Sequence, residues 1–179
     1  MKSLRLLFTV ALVSLATAAL AQSDTQKSFD QLKALAGTWK GTVVADTPEP
    51  SPEWNGKTVW VTLRVTSRGN AIVHEMKEPG TPDDSSKDDP VTLLYADGDH
   101  LFLTHYCDAG NRPHMEATVS PDGKTIAFHT VDVSGGTQYG HMHGATFTLA
   151  DANHHTEEWT FMEPGNKALR AHMDLQRVK

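Results

Sequence analysis

Two kinds of connection alternate along the chain from Thr38 onward. "SRGN", "DGD", "SPDG" and "DANH" are short turns rich in Gly, Asn and Asp. Between them fall "DTPEPSPEWNG", "PGTPDDSSKDD", "DAGNRP", "SGGTQYG" and "EPGNK", which are longer or more irregular. In an up-and-down antiparallel sheet, alternate connections lie at opposite ends. One end of such a sheet would be closed by tight turns and the other would carry the elaborate loops. That asymmetry predicts an all-β fold, an antiparallel up-and-down barrel of about ten strands with a mouth at the loop end. An open sandwich with long loops at one end is the structural alternative.

The segments between the turns read as strands over Thr38–Ala45, Lys57–Thr66, Ala71–Glu78, Val91–Ala96 and His100–Cys107. Five more run over His114–Ser120, Thr125–Val133, His141–Leu149, His155–Met162 and Lys167–Val178. Val59, Val61, Leu63 and Val65 are separated by Thr58, Trp60, Thr62 and Arg64, a period of two that buries one face. Before them, Phe29, Leu32 and Leu35 in "SFDQLKAL" recur at helical spacing and predict one short helix, which Gly37 breaks.

The chain opens with Lys2 and Arg5, an apolar run from Leu6 to Leu15, and Ala19-Leu20-Ala21. This is the layout of a secretory signal peptide over 1–21, leaving residues 22–179 as one exported domain, periplasmic or extracellular. Removing Lys2 and Arg5 from the 16 basic residues leaves 14 against 22 acids, a net charge of about −8. Such an acidic domain lacks the electrostatic footprint of a nucleic-acid binder, and no later apolar run would insert in a bilayer. Cys107 is the single cysteine, so no internal disulfide supports the fold.

The helix followed by "LAGTWKG", Leu35 to Gly41, resembles the start of lipocalins and the wider calycin group. In those barrels a Gly-x-Trp near the first strand plugs the closed end; Gly37 and Trp39 match it. Gly41 extends the match to the Gly-x-Trp-x-Gly of haem-binding nitrobindin-like barrels. The whole chain is similar to exported bacterial lipocalin-like proteins, which implies a barrel and no particular activity. The nitrobindin-like resemblance implies an axial histidine from a strand near the C-terminus. His172 lies there, but it alternates with Arg170 and Asp174 on the polar face, which counts against haem.

Strand alternation and strand direction select candidate site residues. His74 closes the third predicted strand, His105 and Cys107 close the fifth, and His141 and His143 open the eighth. All five are expected inward at the loop-bearing end, with His114 beside them on an ambiguous face. With Met76, Leu103, Trp159 and Met173 they make the expected ligand pocket. Val61, Leu63, Ile72 and Phe147 extend its apolar wall. Neutral imidazoles at His74, His105, His141 and His143 are suitable donors for a transition metal such as zinc. No HExxH or CxxC spacing supports that set. Glu157 shares the Trp159 face, where a buried carboxylate would need a partner.

Three functions follow. The first is an exported barrel that binds a small, partly apolar molecule. The second is a metal-dependent enzyme, or a haem- or metal-binding barrel, using the histidine and cysteine rim. The third is a structural or interaction barrel with a filled interior.

Overall fold

The computed structural model describes residues 23–46, 54–81 and 87–178. The expected signal peptide lies outside the described residues, as do Asp83 and Asp84 of the acidic loop. One helix, α1 (Asp24–Ala34), precedes ten strands. These are β1 (Gly37–Asp46), β2 (Thr58–Thr66), β3 (Ala71–Lys77), β4 (Val91–Asp97) and β5 (His100–Tyr106). They continue as β6 (Arg112–Val119), β7 (Thr125–Ser134), β8 (His141–Asp151), β9 (His154–Glu163) and β10 (Lys167–Arg177). Each strand pairs antiparallel with its neighbours in sequence, and β1 pairs with β10 to close the barrel. Closure leaves no unpaired sheet edge, which the open-sandwich alternative would have kept. No described helix is long and apolar enough to cross a membrane.

The closed end is built by the tight turns and α1. The Ser23 hydroxyl caps the helix by accepting the Gln26 amide, and the helix buries Phe29 and Leu32. Thr25 Oγ1 then donates to the Asp99 carbonyl in the β4–β5 turn at 2.6 Å, so the helix lies across that end.

The Gly-Thr-Trp-Lys-Gly run has a physical reason for each of its fixed residues. Trp39 is fully buried, and its Nε1 donates to the Leu35 carbonyl at 2.8 Å. The Arg177 guanidinium lies 4.1 Å from its ring. Arg177 also donates to the carbonyls of Ala34, Ala36 and Ala152 at 3.0, 2.7 and 2.7 Å, tying the end of α1 to the last strand. Gly37 has φ 137°, and a Cβ there would sit 2.6 Å from Arg177 Nη1. At Gly41 a Cβ would collide with the Asp174 carbonyl oxygen on β10.

The inward face of each strand fills this half of the barrel. Val61, Leu63, Ile72, Leu103 and Phe147 are packed into the core beside Leu94, Met115, Ile126 and Phe128. They fill the interior here, where the sequence placed several of them on a pocket wall.

Candidate ligand cavity

At the loop-bearing end the interior is hollow, with a cavity of about 440 Å³. Of the residues expected around a pocket, His74, Met76, His105, Cys107, Trp159 and Met173 line it. Leu103 lies below it in the packed core. Met142, Phe161 and Leu169 complete the apolar wall, and Asp88, Asp108, Glu163 and Arg170 stand where strands meet the loops.

His141 and His143 do not line this cavity, and the reason is a register shift. β8 carries an irregularity between Met142 and Gly144 opposite β9, so His143 is one residue extra in the ladder. Strict alternation would set His141 and His143 on the inward face of Ala145 and Phe147. The extra residue brings Met142 inward instead and leaves His143 exposed. The two imidazoles meet each other outside, Nε2 to Nδ1 at 3.3 Å. His114 also points outward, stacking on Phe102 with ring centroids 4.8 Å apart and meeting Asp132 and Tyr95. Its neighbour Met115 takes the core position.

The expected convergence of four histidines is therefore corrected to two, His74 and His105. Among the described residues no group of three or more His, Cys, Asp or Glu side chains is arranged to hold a metal ion. Cys107 is half-buried. Burial pushes its thiol pKa up, against a backbone hydrogen bond from Ala109, and Asp88 and Asp108 raise it further. It stays a thiol, the form that neither attacks nor ligates well. The haem expectation does not fit either, because His172 is exposed on the outer face of β10.

The cavity floor is a polar network that joins His74 and Trp159 of the candidate set to Glu157 and His155 outside it. Glu157 on β9 is fully buried and surrounded by donors. His74 Nε2 lies 3.0 Å from Oε2, His155 Nε2 lies 3.0 Å from Oε1, and Trp159 Nε1 donates to Oε2 at 2.9 Å. Since β3 and β9 are not neighbours in the barrel, the His74–Glu157 contact crosses the interior. Burial alone would raise the carboxyl pKa. The charge of His74 and the hydrogen bonds from His155 and His74 outweigh it and hold Glu157 well below the usual carboxylate range. A carboxylate only accepts, so both histidines present Nε2–H to it. Glu157 falls on the Trp159 face as its parity implied, and His155, which the candidate set lacked, was legible in the same way, since 155, 157, 159 and 161 share one parity. Thr92 likewise shares the parity of Leu94.

His105 completes the floor in a different state. It is 2% exposed, its Nδ1 is 2.9 Å from Thr92 Oγ1, and its ring lies tilted beside Trp159 at 5.5 Å. Its Nε2 is buried with no hydrogen-bond partner. Burial, helped by the charge of His74, pushes the His105 pKa down to about 4, so the ring is neutral at physiological pH.

The closed ten-stranded antiparallel barrel is a fold that solved structures share. It superposes on a protein of unknown function of the DUF3598 family from Nostoc punctiforme with a TM-score of 0.55 at 8% identity. That match covers 83% of this chain and 49% of the other, so the chain spans about half the length of that protein. It superposes on Rv2717c from M. tuberculosis with a TM-score of 0.56 at 14% identity, covering 85% of this chain and 98% of the other. No protein-family model matches the sequence, and no curated protein does.

Proposed function

We propose that this chain is an exported binding protein that holds a small, partly apolar molecule in the open half of its barrel. The observation that carries this reading is the division of the interior. One half is packed with aliphatic and aromatic side chains, while the other keeps about 440 Å³ free above a floor of buried polar groups. Apolar walls with a few fixed polar groups are how small-molecule sites are generally built. Export rests on the basic and apolar N-terminus ending in Ala19-Leu20-Ala21.

Native mass spectrometry of the protein recovered from a periplasmic fraction tests both parts. Support would be a mature chain beginning at Gln22 together with a retained adduct of a few hundred daltons. A cytoplasmic, full-length chain would overturn export. Failure of the purified protein to take up any small apolar probe would overturn the binding reading.

A further inference from the structure

We infer that His105 is the anchor of the cavity, and that the site takes a neutral aromatic alcohol with its hydroxyl on His105 Nε2. This rests on the binding reading above and narrows it to a ligand class. The first observation is the unpartnered nitrogen itself: a buried polar atom with no protein partner, on a residue that lines the cavity. Leaving such an atom unpaired costs more than one hydrogen bond contributes in water, so a ligand able to pair it gains that difference. A hydroxyl suits it better than other oxygens. Thr92 Oγ1 and His105 Nδ1 share one hydrogen bond that runs in either direction, so Nε2 offers either N–H or a lone pair. A hydroxyl group meets both.

The second observation is the wall. Met76, Met142 and Met173 surround the space together with Trp159 and Phe161. Thioethers contact the edges of aromatic rings favourably and adapt their shape to them, and the two aromatic side chains offer stacking and edge contacts. An aromatic ring uses all five side chains, whereas an alkyl chain uses only their bulk.

The third is charge. Asp88, Asp108 and Glu163 outnumber Arg170 in the cavity lining even with Lys167 paired to Glu163, while the Glu157 carboxylate under the floor is balanced by the charge of His74. His105 is neutral and brings no compensating charge. A carboxylate ligand would have to pass this acid-rich rim to reach the floor, so anions are disfavoured.

Naphthol, naphthalene and naphthoate share one ring system and differ only in the group offered to His105. Titration of each into the purified protein at neutral pH, followed by ligand fluorescence, separates the terms. Naphthol should bind about tenfold more tightly than naphthalene, and naphthoate more weakly than either. In His105→Phe the preference for naphthol should vanish while naphthalene binding persists. Equal affinity of naphthol and naphthalene for the unmodified protein would overturn the anchor and leave the binding reading intact. Tightest binding by naphthoate would overturn the charge argument and with it the neutral class. No binding by any of the three would overturn both.

Discussion

The neutral, buried state of His105 makes stability depend on pH in a defined window. In the unfolded chain the imidazole titrates near its ordinary 6.5; in the folded barrel it titrates near 4. Between those values the unfolded chain binds a proton that the folded one refuses, so stability falls as pH falls. At roughly 1.4 kcal/mol per pH unit, the gap corresponds to about 3 kcal/mol lost between pH 7 and pH 4. Glu157 acts in the same direction but lower down. Its folded pKa is depressed, so its contribution is fully present above the ordinary 4.5 and is lost only below that, as pH falls through the folded value. The window from 6.5 to about 4.5 therefore belongs largely to histidines. Urea denaturation at several pH values, for the natural protein and for His105→Gln, isolates the term. Glutamine keeps a polar partner for Thr92 and does not titrate. Every other imidazole is common to both proteins and cancels in the comparison. The natural protein should lose about 3 kcal/mol more than His105→Gln between pH 7 and pH 4. Parallel curves would refute the reasoning, because they would mean that His105 is hydrated or already paired in the folded state.

Glu157→Leu removes the shared acceptor of His74, His155 and Trp159 and should cost about 3–5 kcal/mol in urea unfolding; a variant as stable as the natural protein would mean that the network contributes nothing. Trp39→Ala should cost about 3–5 kcal/mol by opening a cavity under the Arg177 guanidinium. Gly41→Ala should cost about 1–3 kcal/mol by driving a methyl group into the Asp174 carbonyl, and a thermal melt unchanged from the natural protein would contradict the close approach of β1 and β10. Replacing His141 and His143 together by Ala should leave probe binding in the cavity unchanged; loss of binding by that variant would return the β8 pair to the site.

Much of this architecture is legible in the sequence, and the failure to place the β8 histidines has a definite cause. Turn chemistry separates the two ends of the barrel because Gly, Asn and Asp adopt backbone angles that a two- to four-residue turn demands. Alternation then gives the inward face wherever a strand is regular, as for His74 on β3 and His105 on β5. It fails on β8, where one extra residue at His143 inverts the parity of everything before it. Gly144 in the middle of that strand is the available signal, since glycine inside a strand often marks a bulge, and Met142 is the more natural core side chain. Arg177 was not legible at all. Nothing in its own neighbourhood says that it reaches back across the chain to Trp39 and the end of α1.

That long-range contact also places the polar floor. The Trp39 and His155 rings pack perpendicular to each other, with centroids 4.3 Å apart. His155 holds Glu157, and Glu157 holds His74 and Trp159, both of which line the cavity. One continuous set of contacts therefore runs from the plug at the closed end to the floor of the open end. The carboxylate is reached by an imidazole and an indole of its own strand β9 and by an imidazole from β3 across the barrel. A carboxylate at that depth is stable only with its donors in place, and those donors fix the orientation of the rings that face the cavity. His105 lies beside this set and hydrogen-bonds only to Thr92. Two ring nitrogens of the floor, His105 Nε2 and His155 Nδ1, are buried without a partner, and of these two residues His105 is the one that lines the cavity.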